Sequence, residues 1–139
     1  DVAPSRGLGD VYKRQIKAHE VDLDTIFNNL LTNAFYSIKE KKDKVNRRLD
    51  IKCVVEDDLV HIIFQDTGLG LAEEYKHNPE EIFNSFESSK KDRLGKQIGT
   101  GLGLYIVKSI ISEYNNSAIR IVRDIEDGFA IQITFKKAD

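Results

Sequence analysis

Two glycine clusters, Asp66-Thr67-Gly68-Leu69-Gly70-Leu71 and Gly99-Thr100-Gly101-Leu102-Gly103-Leu104, follow the asparagine-bearing segment Asn28-Asn29-Leu30-Leu31-Thr32-Asn33-Ala34. Each piece carries its own chemistry. Glycines leave backbone N–H groups bare for close approach to an anion. A carboxylate such as Asp66 accepts hydrogen bonds from an amino group, and an amide carbonyl such as that of Asn33 is a neutral ligand for a hard cation. Together they match what a nucleoside triphosphate with Mg²⁺ requires: a ligand on the metal side, an acceptor for the base and donors for the phosphates.

The pieces differ in how they can be read singly. On a helix at ~100° per residue, Asn33 falls just outside the apolar arc, with Asn29 one turn before it and Ser37 one turn after. Such a pair can also be a plain polar border. Counting by two along a strand puts Asp66 on the face of Val60, Ile62 and Phe64. A carboxylate at the end of an apolar stripe is costly without a partner, and an adenine amino group would be one. Gly68 and Gly70 permit a sharp turn after it, although Asp-Thr-Gly is also an ordinary turn sequence. The second cluster opens a helix, so the amides around Gly101 and Gly103 would cradle phosphates at its positive end. A dinucleotide fingerprint would need a strand just before these glycines, and the charged, glycine-broken Lys91 to Ile98 is not one. A Walker-type loop would need Lys-Ser or Lys-Thr after them, and neither occurs.

The elements that must position these residues are interleaved helices and strands. Ile16 to Val21 reads as a short edge strand. Asp22 and Asp24 offer N-caps for a helix to about Lys42, in which Ile26, Phe27, Leu30, Leu31, Ala34, Phe35 and Ile38 form one stripe. The charged run Lys39 to Arg48 reads as a solvated connection. Leu49 to Glu56 and Leu59 to Asp66 form a hairpin about Asp57-Asp58. Leu102 to Tyr114 is helical, with Leu104, Val107, Ile110 and Ile111 on one face. Ala118 to Arg123 and Gly128 to Lys136 close the domain as a hairpin around Glu126-Asp127-Gly128. The fold class is α/β, a two-layer α/β sandwich whose mixed, mostly antiparallel sheet of about five strands carries helices on one face.

Composition narrows the function classes. The chain has 139 residues, 40% hydrophobic and 32% charged, enough for one core. A net charge of -2, with no basic run interleaved with aromatics, argues against nucleic acid. The single cysteine, Cys53, sits in an apolar alternation and reads as a small buried side chain in a reducing compartment. No run is apolar and long enough for a membrane span, and no signal pattern opens the chain, so a cytoplasmic domain without membrane contact of its own is expected, either free or as the cytoplasmic part of a membrane-bound protein. Residues 1–15 contain Pro4, Gly7 and Gly9 without periodicity and are expected to be disordered. Asp10-Val11-Tyr12-Lys13-Arg14-Gln15 reads either as a translated adaptor scar or as a flexible linker. The domain is expected to span 16–139.

With these residues in view, the chain resembles the catalytic domain of sensor histidine kinases. Asn33 and its neighbours resemble the N box, Asp66 to Gly70 the G1 box, Ile82-Phe83-Asn84-Ser85-Phe86 the F box and Gly99 to Gly103 the G2 box. The resemblance covers Ile16 to the end and implies the Bergerat ATP-binding fold of the GHKL superfamily. It implies that Asn33 holds Mg²⁺, that Asp66 binds adenine together with Gly68 and Gly70, that Gly99, Thr100, Gly101, Leu102 and Gly103 bind phosphates, and that Leu71 to Ile98 is a mobile lid. Lys90 looks placed to meet a phosphate from that lid, and among Lys91 and Arg93 it reads equally as a surface lysine.

One position divides the relatives by chemistry. Hydrolytic members carry a glutamate four residues before the residue matching Asn33, where it can act as a general base. Here it is Asn29, whose amide cannot accept a proton at neutral pH. Water-driven hydrolysis is thereby disfavoured, while transfer to a histidine, which brings its own nucleophilic nitrogen, is not. His19, His61 and His77 are the histidines present, and none lies in an upstream helical hairpin of the acceptor type. The acceptor is therefore expected on a separate dimerisation domain, with a response regulator downstream and this domain a monomer by itself. Tyr36-Ser37 also stands where many sensor kinases place a basic residue, leaving the lysines and serines of the lid as candidates for that phosphate contact. Two functions follow: a protein-histidine kinase catalytic domain using ATP and Mg²⁺, or a non-catalytic ATP-sensing module of the same fold.

Overall fold

A computed structural model describes residues 15–41, 46–84, 103–125 and 127–139. The order is α1 (Glu20–Glu40), β1 (Leu49–Glu56), β2 (Leu59–Asp66), two 3₁₀ turns (Glu73–Tyr75 and Pro79–Phe83), α2 (Gly103–Ile111), β3 (Ala118–Val122) and β4 (Phe129–Lys136). The strands form one sheet in the order β1-β2-β4-β3, and every neighbouring pair is antiparallel.

The period of two along β2 decides which residues face the helices. Val60, Ile62, Phe64 and Asp66 are buried while their alternates are half-exposed. Opposite them on β4 stand Phe135, Ile133, Ile131 and Phe129. Onto this face α1 lays Leu23, Ile26, Phe27, Leu30, Leu31 and Ala34, and α2 adds Val107 and Ile111. Phe27 meets Phe64 edge to face at 5.3 Å between ring centroids. The result is one core between two layers, with helices on one face, as the alternating patterns predict.

Several local expectations are corrected. Ile16 to Val21 is not a strand: Ile16 makes a single bridge to Lys137 and the helix begins at Glu20. Glu20 and Asp22 both lie in the first turn, where the helix dipole favours acidic groups, so the helix extends further back than the apolar stripe suggests. Asp22 and Asp24 are consequently not caps. His19 holds that place, with extended backbone and no side-chain cap bond, and Asp22 accepts a hydrogen bond from the Tyr114 hydroxyl. Among the described residues the sheet has four strands rather than about five, and it is antiparallel rather than mixed. At its other end α1 stops at Glu40, just short of the expected Lys42, and α2 stops at Ile111 rather than Tyr114. Cys53 is half-buried rather than fully buried, and that burial raises its thiol pKa. The parts of the charged connection, the lid and the second glycine cluster at 42–45 and 85–102 lie outside the described residues, as does the leader to residue 14.

Candidate functional site

The centre of the site is the C-terminal end of β2. Asp66 closes the buried face of that strand and is 4% exposed, although it carries a carboxylate. Its Oδ1 accepts the Gly68 N–H at 2.8 Å, and the Ser37 hydroxyl supplies a further hydrogen bond. Desolvation outweighs these bonds and raises the Asp66 pKa from 3.8 to about 6. At neutral pH the group is thus a strong acceptor held in apolar surroundings, suited to a directed donor such as an exocyclic amine.

Three elements hold the turn that follows. From α1, Ser37 Oγ accepts the Leu69 N–H at 2.7 Å. A Cβ on Gly68 would lie 2.6 Å from the Ser37 carbonyl carbon, so the turn can approach the helix only with glycine there. From the segment entering β1, the Thr67 hydroxyl donates to the Asn46 carbonyl at 2.8 Å and accepts the Arg48 N–H at 2.7 Å. From the turn between β3 and β4, Gly128 packs beneath Asp66. A Cβ there would stand 1.9 Å from the Asp66 carbonyl oxygen, and its φ of 80° already lies in the left-handed region.

The asparagines sit where helical spacing predicts. Asn29, Asn33 and Ser37 are all half-buried, in a row on one border of α1. Asn29 donates from Nδ2 to the Thr25 carbonyl at 2.8 Å. Gly103 lies directly above: a Cβ on it would be 3.0 Å from Asn29 Oδ1 and 4.0 Å from Asn33 Nδ2. The last glycine of the second cluster, at the start of α2, therefore meets the asparagine row. Asp66, Gly68 and Gly70 are gathered at the other end of that row, where Ser37 stands. Gly99, Thr100, Gly101, Leu102 and Lys90 lie outside the described residues. Of the F-box segment, Ile82 and Phe83 are buried in the second 3₁₀ turn, and Lys108 Nζ of α2 stands 5.3 Å from the centre of the Phe83 ring.

Sequence reasoning missed two residues of this neighbourhood. Gly128 reads as an ordinary hairpin glycine, and its contact with Asp66 is visible only in three dimensions. Lys41 reads as one more solvated lysine, yet its Nζ donates to the Thr67 carbonyl at 2.6 Å and pairs with Asp127 at 3.2 Å, with 16% of its side chain exposed. A signal for it exists: Lys41 continues the row Asn29, Asn33, Ser37 at the same four-residue interval.

Comparison with known proteins gives this arrangement its family. Residues 18–139 match the family described as "Histidine kinase-, DNA gyrase B-, and HSP90-like ATPase", and the chain belongs to it. The histidine protein kinase SaeS of Staphylococcus aureus strain USA300 is 31% identical over 123 residues, covering 87% of this chain and 32% of that protein. The chain thus spans about a third of the length of the curated relatives it matches. The mycobacterial sensor histidine kinase MprB superposes with a TM-score of 0.69 at 21% identity, over 96% of this chain and 91% of that one. The catalytic domain of histidine kinase ThkA superposes with a TM-score of 0.67 at 25% identity, over 88% and 70%. The resemblance read from the boxes is borne out: the chain is similar to ATP-binding domains of sensor histidine kinases in the GHKL superfamily, and its fold is theirs. No helix among the described residues is long and apolar enough to cross a membrane.

Proposed function

We propose that Ile16 to Asp139 is the catalytic unit of a protein-histidine kinase that binds ATP and passes its γ-phosphoryl group to a histidine on a separate dimerisation domain. One observation carries the reading. A single row on α1 touches residues of both glycine clusters, with Gly103 against Asn29 and Asn33 at one end and the Asp66 turn against Ser37 at the other. About 12 Å of helix rise separates Asn29 from Ser37, a span along which a nucleoside triphosphate can lie with its base at Asp66 and its phosphates toward Gly103.

The donor set fits both ATP and Mg²⁺. Asp66 is a buried acceptor for the adenine amino group, the start of α2 offers N–H groups to phosphate, and Asn33 contributes an amide of the kind that ligates hard cations. Bound there, Mg²⁺ would neutralise phosphate charge and orient the γ-phosphoryl group. The chain's own contribution is positioning and exclusion of water. In the transfer, an imidazole nitrogen of the acceptor forms a bond to the γ-phosphorus as the bond to the β,γ-bridging oxygen breaks. ADP leaves, and the imidazole proton passes to solvent. Asn29 supplies no base for water, which supports transfer over hydrolysis. Lys90 and Gly99 to Leu102 are assigned to the phosphates by resemblance. The acceptor, the response regulator beyond it, a cytoplasmic location and a monomeric state belong to the same proposal.

The test is transfer of γ-labelled phosphate from ATP to a purified dimerisation domain of the matching kinase. Acid-labile, base-stable label on that domain is the expected result. Saturable ATP binding with no transfer to the cognate acceptor would contradict the kinase reading and support the ATP-sensing alternative.

A further inference from the structure

We propose that Lys41 is a positioning residue for nucleotide recognition, an ionic latch that ties the end of α1 to the Asp66 turn and to the β3–β4 turn at once. The inference rests on the assignment of Asp66 to the base. Lys41 Nζ bridges the Thr67 carbonyl, 2.6 Å away, and the Asp127 carboxylate, 3.2 Å away. The two anchors belong to the two turns that press on Asp66: Thr67 follows it in the chain, and Asp127 precedes the Gly128 that packs on its carbonyl. The Lys41 side chain is 16% exposed while that of Asp127 is 61% exposed, so the lysine is drawn inward rather than the aspartate. A lysine whose only role was solubility would extend its ammonium into water.

The latch has an electrostatic side. Among the described residues the charged groups facing Asp66 are Lys41, which favours its ionised form, and Asp127, which opposes it. Across the sheet Asp66 is opposed by Leu49 and Phe129, which carry no charge. Ser37 and the Gly68 N–H are its hydrogen-bond partners among the described residues. Lys41 thereby does two things for one carboxylate. It holds the turn that aims Asp66, and it partly offsets the negative charge of Asp127.

The test compares wild type, Lys41→Met, Lys41→Arg, Asp127→Asn and Asp66→Asn, all as the full chain. Each is checked for folding by circular dichroism and titrated with a fluorescent adenine nucleotide and Mg²⁺ from pH 5 to 8. Lys41→Met is expected to weaken binding roughly tenfold at pH 7, the loss typical of one charge-assisted hydrogen bond. It should also move the acidic loss of binding to higher pH. Lys41→Arg should restore most of the affinity. Asp127→Asn should move the acidic limb the opposite way, to lower pH, a sign that general loosening of the turn would not produce. If Lys41→Met does not fold, the opposite shift in Asp127→Asn decides. Affinity and pH limb unchanged in both folded Lys41→Met and Asp127→Asn, with binding abolished by Asp66→Asn, would overturn the latch and leave the base assignment standing. Wild-type affinity in Asp66→Asn would instead remove the base assignment, and the latch with it.

Discussion

Asp66→Asn should make the nucleotide-free protein more stable while destroying its capacity to bind. Burial lifts the Asp66 pKa from 3.8 to about 6, so ionising the carboxylate in the folded state costs about 3 kcal/mol at about 1.4 kcal/mol per pH unit. Asparagine keeps an oxygen for the Gly68 N–H, now 2.8 Å from Oδ1, but loses the extra strength of a charged acceptor. The net gain at pH 7.5 should therefore be about 1–2 kcal/mol, a rise in melting temperature of roughly 5 °C for a domain of this size. The sign with pH follows from the raised pKa. The wild type's stability from this group is fully present below pH 3.8, where the carboxyl is neutral in both folded and unfolded chains, and is lost as pH rises through about 6. The variant's advantage should thus be largest above pH 7 and shrink steadily toward pH 4. Thermal melts of both proteins at five pH values, with adenine nucleotide binding measured alongside, read all of this. A variant less stable than wild type at pH 7.5, or an advantage that grows on acidification, would refute the argument that Asp66 is a desolvated carboxylate kept for its ligand.

Other outcomes follow from the same contacts. Gly128→Ala places a methyl group 1.9 Å from the Asp66 carbonyl at a left-handed φ, and should cost about 2–4 kcal/mol in chemical denaturation while lowering nucleotide affinity. Ser37→Ala removes the partner of the Leu69 N–H and of Asp66; it should cost about 1–2 kcal/mol and shift the acidic loss of nucleotide binding to higher pH. Asn33→Ala should leave the melting temperature within a few degrees, because the residue sits on the half-buried border of α1, yet should abolish the enhancement of binding by Mg²⁺ in calorimetric titration.

Much of the fold and part of the candidate site's arrangement could be read from residue order, for identifiable reasons. The β1–β2 hairpin follows from two β-patterned runs around the short polar turn Asp57-Asp58, and it emerged in register, with Glu56 opposite Leu59. The border row of α1 follows from helical spacing alone. What escaped depends on partners distant in sequence. Asp22 has the composition of a cap, but its partner is the hydroxyl of Tyr114, 92 residues away. Lys41 lies in a run whose other members carry no pattern, and only the fold brings Thr67 and Asp127 to its ammonium. The front strand failed for the opposite reason: Ile16, Ala18 and Val21 are too few to distinguish a strand from the approach to a helix, and Val21 is 74% exposed in the first turn of α1. Asp66 was legible because a charge at the end of an apolar alternation has few inexpensive explanations.

The most direct measurement is calorimetric titration of the purified chain with a non-hydrolysable ATP analogue, with and without Mg²⁺, beside its guanine counterpart. Saturable, Mg²⁺-enhanced binding that prefers adenine is the result expected of a site built from Asp66, Asn33 and the two glycine clusters. A folded protein that binds neither nucleotide, or both equally, would contradict it.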